Sequence, residues 1–585
     1  MILGIDLGTT NSLASIIKDG QVEFVEFEGS RLLPSVISVD SNNDFTIGQV
    51  AKNQYYLNPE NSVKSVKRLM GKDIQTVLNE KNYLPEEISG IILRHIKETA
   101  ETQFGIRFDS TVITVPAYFS DDQRKATSIA GEIAGFKVER IINEPTAASL
   151  SYNYRQDDEI KAVVYDFGGG TFDVSVVNIS NNLVEVLSSH GNNQLGGDDI
   201  DLEFSRFLAD LISEKYSMDL SQNSQTTHQL LHIAEKCKIE LSDHPYFTIV
   251  ESLFIDENKP PLAVDLEISR NQFEEIIEPF IAETMNLVHI TLSDANLNVG
   301  DIDQILLVGG ISRIPLISEE FEKMFQVVPS DSINPDQSVC VGAAIQGAIL
   351  SDESIQSILV DVTPYTFGTR AVEMGEFGFI SNDDMFIPVI HRNSPLPTSK
   401  SKIFYKMHPE QTTIEVEIYQ GDSEFASENK RIGFFSIIDL SIKQDSGEIL
   451  LTMNLDLNSI LTVIATEKKT GKRKQITIDN SFDHSDISTS VDKLAQIFGD
   501  EVSDNSADEL DTIDNTNVNE KDSPKIHIAK TMIDKAELKM DQAGIEDANE
   551  MKEIMLELKK AILSRDIDAV ESLTDDLTDI LFYID

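Results

Sequence analysis

The sequence is poor in cysteine and in basic residues. Two cysteines, Cys237 and Cys340, among 585 residues are too few for a disulfide framework or a cysteine-based metal site, and they fit a reducing cytosol. The 48 Lys and Arg residues face 99 Asp and Glu, which leaves a net charge of −51. A nucleic-acid binder gains affinity by neutralising phosphates with Lys and Arg, so nucleic acid and anionic membranes are disfavoured as partners.

Long hydrophobic runs are also missing. No apolar stretch approaches the ~20 residues that a membrane-spanning helix requires. The first strand-like run, residues 2–5, follows the initial Met directly and leaves no room for a signal peptide. We therefore expect a cytoplasmic, monomeric protein, and a length of 585 residues predicts about three or four domains.

Residues 1–350 alternate between strand-like and helix-like stretches. Apolar runs at 111–115 and 162–165 alternate with helical patterns at 89–104, 121–134 and 271–295. This alternation predicts an α/β class.

An internal repeat lies within this half. Residues 2–27 give a strand, Asp6, a small-residue loop and a hairpin that turns at residues 19–20. Residues 161–187 give a strand, Asp166, a glycine-rich loop and a hairpin that turns at residues 181–182. Asp-Gly and Asn-rich turns suit tight hairpins. Two similar lobes, each with a strand, loop and hairpin, predict a ligand held between them.

The two loops have the chemistry of a phosphate cradle. Gly8 and the glycines at 168–170 let backbone N–H groups approach a ligand closely, while Thr9, Thr10 and Thr171 add hydroxyl donors. Carboxylates at strand ends, Asp6 and Asp166, can hold Mg²⁺ through water. One such loop is weak evidence, but the pair is stronger. The sequence contains no P-loop, dinucleotide fingerprint, nucleophile elbow or zinc motif.

The second half of the chain changes character. Residues 351–362 form either a linker with an apolar centre or a last buried strand, and the sequence does not decide between them. Residues 363–480 show period-two runs and turns, which predict a β-sandwich. Residues 481–585 carry three helical apolar stripes, at 526–540, 551–562 and 570–584, which predict a small bundle. The acidic stretch 501–523 predicts a disordered spacer.

Several motifs in the same order resemble the DnaK-type seventy-kilodalton heat-shock chaperones. The resemblance extends from residue 2 to about 480, and at residues 361–365 and 407–411 the sequence is most similar to the HscC-like branch. The motifs that carry the family resemblance are Ile5–Ser12, Val115–Phe119, Ile141–Ala148, Asp166–Asp173 and Leu307–Pro315.

This resemblance implies a multidomain chain: an actin-like two-lobed ATPase domain at 1–350, a linker at 351–362, a β-sandwich peptide-binding domain at 363–480 and a helical lid at 481–585. The implied activity is an ATPase cycle that switches binding and release of unfolded polypeptides. ATP or ADP and Mg²⁺ are the implied cofactors. A J-domain co-chaperone, contacted by Arg140, and a nucleotide-exchange factor are implied partners.

The resemblance also assigns roles to residues. Asp6 and Asp166 would hold hydrated Mg²⁺, Lys67 would position the attacking water, and Thr171 and Glu144 complete the implied catalytic set. The implied nucleotide-binding residues are Gly8, Thr9, Thr10, Asn11, Gly168, Gly169, Gly170, Thr171, Gly196, Gly197, Glu235, Lys238, Ser242, Gly309, Gly310, Arg313 and Asp336. The implied relay and linker residues are Pro116, Arg124, Glu144, Ile358, Leu359, Val360 and Asp361. The implied peptide groove consists of Ala371, Val372, Phe404, Met407, Gln411, Ile414 and Val416.

Two departures from the family pattern concern the clamp. The arch over the peptide pairs a Met with an Ala in the family, whereas Val372 and Met407 stand at those places here, so the bulky side has switched. The lid is short and is interrupted by the acidic spacer. Two rival functions share the actin-like fold, a small-molecule kinase and a nucleotide-dependent filament protein, but both leave the linker and the sandwich without a purpose.

Overall fold

The computed structural model describes residues 1–57, 59–153, 160–180, 183–218, 220, 224–254, 260–330, 334–351, 358–374, 380–408, 410–442 and 447–477, together with positions 489–491, 493–494, 497–498, 533, 551–552, 554–555, 557–561, 570, 573–574 and 577. The chain forms two compact units. The first consists of Met1–Pro364 and Phe482–Val502, and the second of Tyr365–Ser481 and Ser503–Asp585.

Strands and helices alternate through the first unit, as the sequence predicted. Its strands are β1 (Leu3–Asp6), β2 (Asn11–Lys18), β3 (Gln21–Phe24), β4 (Leu33–Pro34), β5 (Val36–Val39), β6 (Phe45–Ile47), β7 (Ser62–Lys64), β8 (Thr76–Leu78), β9 (Lys81–Tyr83), β10 (Ser110–Val115), β11 (Lys137–Asn143), β12 (Ile160–Phe167), β13 (Phe172–Ser180), β14 (Leu183–Asn192), β15 (Tyr246–Leu253), β16 (Leu262–Ser269), β17 (Gln304–Val308) and β18 (Ile358–Val360). Its helices are α1 (Gln49–Leu57), α2 (Pro85–Phe104), α3 (Asp121–Ile133), α4 (Glu144–Asn153), α5 (Gly197–Tyr216), α6 (Ser224–Asp243), α7 (Arg270–Asp294), α8 (Pro315–Phe325) and α9 (Ser338–Leu350), with short 3-10 turns at Pro59–Asn61, Val66–Leu69, Val299–Asp301 and Gly310–Arg313.

The internal repeat is confirmed by the topology of two sheets. The first sheet has the order β11-β10-β1-β2-β3, with β4 paired to β2, and the second has the order β17-β12-β13-β14-β18. In each sheet an antiparallel meander (β1-β2-β3 or β12-β13-β14) places its first strand beside a parallel neighbour, β10 or β17. Asp6 and Asp166 therefore occupy equivalent places near the ends of β1 and β12.

Local sequence signals account for the ends of several helices in the first unit. Helix α2 begins with Pro85 at its first turn and ends at Gly105, whose φ is +67°, as expected of a left-handed C-terminal cap. Helix α3 begins after Ser120, whose N–H donates to Gln123 at 3.0 Å, which is half of a capping box. Helix α7 begins in the same way at Ser269 and Gln272.

Helices α4 and α9 pack closely between the two sheets. Helix α9 contacts β1, β2 and β10, while α4 contacts β12, β13 and β14. A Cβ on Gly342 of α9 would lie 1.8 Å from the carbonyl oxygen of Ala147 in α4, and one on Gly4 of β1 would lie 2.2 Å from the amide nitrogen of Ala344. Because glycine has no Cβ, these two positions allow the backbone of α9 to contact the backbones of α4 and β1.

Residues of the segment Phe482–Val502 belong to the first unit and contact α2. Leu494 is buried in the core of the first sheet, and Ile497 and Phe498 pack against the same core. Lys493 Nζ lies 3.0 Å from both carboxylate oxygens of Glu87, and Ser490 Oγ donates to Glu87 at 3.0 Å. The sequence assigned these residues to the start of the helical tail and gave no sign of this contact.

The second unit contains two sheets that bury a shared core, as predicted for a β-sandwich. Its strands are β19 (Phe367–Met374), β20 (Ile380–Ile390), β21 (Thr398–Tyr405), β22 (Ile414–Gln420), β23 (Lys430–Ile437), β24 (Glu448–Leu455), β25 (Leu461–Glu467) and β26 (Lys472–Thr477), with a 3-10 turn at Ala426–Glu428. The sheet orders are β20-β19-β22-β23 and β21-β24-β25-β26. Side chains from both sheets, such as Ile418 of β22 and Met453 of β24, form one cluster.

The helical stripes of the tail are visible only in part. Met551, Met555 and Leu558 are buried and helical, as are Val570 and Leu577, in agreement with the second and third stripes. Of the first stripe only Ile533 is described, and it is buried. The predicted spacer 501–523 lies outside the described residues. No helix among the described residues is long and apolar enough to cross a membrane.

Candidate functional site

The two loops that follow β1 and β12 touch each other. A Cβ on Gly169 would lie 1.7 Å from Thr10 Oγ1, and one on Gly170 would lie 2.4 Å from Thr9 Cγ2. A side chain at either glycine would have to displace the facing threonine. The sequence repeat thus becomes a single site, in which backbone from one loop lies against hydroxyl groups from the other.

Three acidic side chains lie beside these loops: Asp166 and Asp173 are buried, and Asp6 is partly buried. Asp6 accepts a hydrogen bond from Thr114 Oγ1 at 3.0 Å, and Asp173 accepts one from the N–H of Tyr118 at 3.2 Å. Burial, reinforced by the nearby Glu144 carboxylate, raises the pKa of Asp6 to about 7 and that of Asp173 to about 8. Burial likewise holds the pKa of Asp166 well above its usual range. These groups favour a cation among them.

Lys67 supplies one such cation. Its ammonium group is buried and forms an ion pair with Glu144, and it lies 5.7 Å from the centre of the Phe119 ring. The structure therefore brings all five predicted catalytic side chains to one place. Asp173 was missed as a member of this cluster, although it ends the same glycine-rich motif.

A cavity of about 220 Å³ extends from this cluster. The predicted residues that line it are Asp6, Gly8, Thr9, Thr10, Asn11, Lys67, Glu144, Asp166, Gly168, Gly169, Thr171, Gly197, Glu235, Lys238, Gly309, Gly310 and Asp336. Four of the predicted nucleotide-binding residues, all in the described part of the chain, lie outside the lining: Gly170, Gly196, Ser242 and Arg313.

Each of those four residues has a visible supporting contact. Arg313 forms an ion pair with Asp336 at 2.6 Å, so it supports a wall residue from behind. Ser242 Oγ donates to the carbonyl of Lys238 within helix α6 at 2.9 Å. A Cβ on Gly196 would lie 2.5 Å from the amide nitrogen of Gly170, which explains glycine at position 196, whereas the contact with Thr9 explains it at position 170.

Ion pairs cross the mouth of the cavity. Lys52 of α1 lies 2.7 Å from Glu235 of α6, and Lys64 of β7 lies 3.2 Å from Asp198 of α5. Lys52, Lys64 and Asp198 also line the cavity, yet sequence reasoning missed them. The sequence signal for these three residues is weak, because isolated lysines and aspartates occur throughout an acidic chain.

A hydrogen-bond network connects the neighbourhood of Glu144 to Asp361, the residue that follows strand β18. Arg124 donates to Asn143 Oδ1 at 2.6 Å and to the carbonyl of Ala117 at 2.9 Å. Asn143, adjacent to Glu144, donates in turn to Asp361 Oδ2 at 3.0 Å. Pro116 is buried at the start of the turn that joins β10 to α3. The predicted relay residues are thus brought together, through an asparagine that the sequence did not single out.

The segment around Asp361, which the sequence left as either a linker or a strand, contains a strand. Ile358–Val360 forms the last strand of the second sheet, parallel to β14, with Leu359 paired to Val184. Asp361 is buried, and it accepts hydrogen bonds from Asn143, from Thr146 Oγ1 at 3.2 Å and from the N–H of Val362 at 2.8 Å. A strand at the edge of the sheet is compatible with a linker role, which stays a prediction.

Asp361→Asn is expected to loosen β18. All three neighbours donate hydrogen bonds to the two carboxylate oxygens, so an amide nitrogen in place of one oxygen would face a donor. A buried donor without an acceptor costs about 1–3 kcal/mol. Hydrogen exchange at Leu359 and Val360 should therefore accelerate by about tenfold or more.

The matched control is Asp303→Asn, which removes a carboxylate that caps the same sheet by accepting from the N–H of Lys161 at 2.9 Å. Exchange at residues 359–360 should not respond to it. Equal exchange in Asp361→Asn and the unmodified chain would contradict the role given to this carboxylate.

The remaining predicted sites lie elsewhere. Arg140 is half-buried in β11. In the second unit, Val416 is buried in the sandwich core, and Phe404 and Ile414 pack against that core. Val372 and Met407 are both exposed. Gln411 spans the loop after β21, since its side chain accepts from the N–H of Met407 and donates to the carbonyl of Thr413, each at 3.0 Å. Ala371 is half-buried in β19.

Comparison with known proteins gives a consistent result. The family model for Hsp70 proteins matches residues 2–584. A chaperone protein DnaK of Mycoplasmopsis agalactiae is 37% identical over 587 residues, an alignment that covers 99% of this chain and 94% of that protein. The finer resemblance to the HscC-like branch stays a prediction. The chain therefore belongs to the Hsp70 family, as an ATP-binding, ATP-hydrolysing chaperone.

Proposed function

We propose that the cavity between the two loops binds ATP or ADP with Mg²⁺ and that its occupancy switches a peptide clamp in the second unit. The meeting of Gly169 with Thr10 is the observation that carries this proposal. It places backbone N–H groups and hydroxyl groups from both halves of the repeat where one phosphate chain can contact them.

In this proposal the first unit is the actin-like two-lobed ATPase domain, with one sheet in each lobe. Gly8, Thr9, Thr10, Asn11 and the loop at 168–171 bind the phosphates. Glu235, Lys238, Gly309, Gly310 and Asp336 line the adenosine end, and Gly170, Gly196, Ser242 and Arg313 support the wall. Catalysis relies on positioning and electrostatics.

Magnesium fits the acidic cluster. Asp166 and Asp173 are buried and Asp6 is partly buried, all three with raised pKa values, and Lys67 is already paired with Glu144. Among the described residues, no three His, Cys, Asp or Glu side chains are grouped so as to ligate a metal directly. Asp6 and Asp166 would hold Mg²⁺ through water, where it would neutralise phosphate charge.

The proposed residue roles follow from the contacts. The Lys67 ammonium, held by Glu144 under Phe119, orients water toward the terminal phosphate and stabilises negative charge. Thr171, buried and in the lining, donates its hydroxyl to a phosphate oxygen. Arg124, Asn143 and Asp361 pass the change in the site to the linker.

The proposed clamp binds an extended segment of an unfolded polypeptide. Val372 and Met407, both exposed, form the arch, and Ala371, Phe404, Gln411, Ile414 and Val416 form or support the groove. Backbone pairing would give affinity and a pocket would give selectivity. A J-domain co-chaperone at Arg140, a nucleotide-exchange factor and a cytoplasmic setting belong to the same proposal, as do the domain bounds 1–350, 351–362, 363–480 and 481–585.

Release of a fluorescent peptide on addition of ATP tests the coupling. In the unmodified chain ATP should accelerate release by about tenfold or more, because coupling free energies between linked sites are typically 1–3 kcal/mol. In Thr171→Ala, the loss of a hydroxyl from the phosphate loop should weaken this acceleration. Thr248→Ala, in an exposed position of β15, serves as the control. Slow and equal release from the unmodified chain and from Thr171→Ala would reject the coupling.

A further inference from the structure

Aromatic side chains meet across the mouth of the cavity. Tyr55 and Tyr56 belong to α1, and His228 and His232 lie one turn apart on α6. The rings of Tyr56 and His232 are 4.3 Å apart between centres, and those of Tyr55 and His228 are 5.7 Å apart. Tyr55 and Tyr56 contact each other edge to face at 5.5 Å. We call these four residues the aromatic clasp.

The clasp is connected to the nucleotide site through one carboxylate. Tyr56 donates its phenolic hydrogen to Glu235 Oε2 at 2.6 Å, and Lys52 Nζ lies 2.7 Å from Oε1 of the same group. Glu235, Tyr55 and Tyr56 all line the cavity. Helix α1 thus holds, from the opposite side of the cleft, a carboxylate of the proposed adenosine pocket.

The electrostatics favour this arrangement. Burial opposes ionisation of Glu235, but Lys52 and the Tyr56 hydroxyl outweigh it and lower its pKa to about 2. Glu235 is therefore a charged acceptor at neutral pH, and hydrogen bonds to charged groups are stronger than neutral ones. His232 fixes the Tyr56 ring from the other side, and Glu251 and Lys236 also lie near its imidazole.

Opening of the cleft would disrupt the contacts between α1 and α6. Helix α1 packs on β5 and its neighbours, whereas α6 packs on α5 and β15, so the two helices belong to different parts of the first unit. Any separation wide enough to pass a nucleotide must break the Tyr56 hydrogen bond and separate the Tyr56 and His232 rings, which are in contact at an interplanar angle of 40°. Those contacts add to the barrier for nucleotide release.

We propose that Tyr56, packed against His232 and hydrogen-bonded to Glu235, is a positioning residue that sets the rate at which bound nucleotide leaves the cavity. The inference rests on the proposed nucleotide site and adds residues to which the phosphate and adenosine motifs gave no role. The two rings have different roles: the Tyr56 phenol orients Glu235, and the His232 imidazole keeps the phenol in place.

The test is the dissociation rate of a fluorescent ADP analogue from the full chain, measured by displacement with excess unlabelled ATP. Tyr56→Phe should release the analogue about tenfold faster, since it loses a hydrogen bond to a charged group. Tyr56→Ala should release it faster still, since it also loses the ring contact with His232. His232→Leu should accelerate release to a smaller extent. Tyr246→Ala, a largely exposed tyrosine on β15, should leave the rate unchanged.

A double-mutant cycle separates positioning from general loosening. In a Glu235→Ala background, Tyr56→Phe should have almost no further effect, because its acceptor is gone. Additive effects of the two substitutions would overturn the inference, and so would a rate for Tyr56→Phe within twofold of the unmodified chain. Failure of the unmodified chain to bind the analogue would instead overturn the proposed nucleotide site.

Discussion

Lys67→Ala is expected to lower the single-turnover rate of ATP hydrolysis by about 10²–10³-fold, the loss typical of removing one preorganised charge-stabilising donor. The ammonium is buried, paired with Glu144 and part of the cavity lining. In the proposed mechanism it is thus held where negative charge develops. A single-turnover assay that detects radiolabelled phosphate measures the hydrolysis rate separately from the rate of nucleotide exchange.

Lys72→Ala is the matched control, because Lys72 is an exposed lysine five positions further along the chain. It should hydrolyse ATP at the unmodified rate. Removal of Lys67 also leaves Glu144 without its partner, so Lys67→Ala/Glu144→Gln should recover folding stability without recovering hydrolysis. A rate for Lys67→Ala within threefold of the unmodified chain would remove Lys67 from the mechanism.

Gly342→Ala is expected to destabilise the first unit by about 3 kcal/mol, at the upper end of the usual cost of overpacking. The added methyl group would lie 1.8 Å from the carbonyl oxygen of Ala147. Backbone atoms of α4 cannot rotate away as a side chain can, so the two helices must separate. Urea unfolding, monitored by circular dichroism, should show the first unit unfolding at a lower urea concentration than in the unmodified chain.

Gly347→Ala provides the comparison on the same helix. Its new Cβ would meet the side chain and carbonyl of Ile2 at 3.2 Å, a contact that a small shift relieves. Alanine also favours a helix over glycine by about 1 kcal/mol, so Gly347→Ala should be close to neutral. If both variants unfold at the same urea concentration, close contact between α4 and α9 does not limit the stability of this unit.

The repeat of strand, loop and hairpin could be predicted because it rests on local signals. A carboxylate after an apolar strand, glycines and a hairpin turn lie within about thirty consecutive residues, and the repetition at Asp6 and Asp166 identified a shared site. The period-two runs of the sandwich and the stripe at Met551, Met555 and Leu558 were readable for the same reason.

Residues that act through distant contacts could not be predicted. Asn143 and Tyr56 acquire their importance from partners that are 218 and 179 positions away, Asp361 and Glu235. Each is an ordinary residue in its local sequence. Lys493 likewise meets Glu87 only because the segment after the sandwich returns to α2.

Strand β18 has a consequence for how copies of the chain behave toward one another. If Ile358–Val360 leaves β14 in the proposed cycle, the backbone groups at residues 183–185 that it covers become an open sheet edge, which can accept an extended strand, including one from another molecule. Glu185 stands on that edge, and each copy carries a net charge of −51. We expect this negative charge to oppose edge-to-edge joining of two copies, by the same electrostatic repulsion that disfavours nucleic acid as a partner.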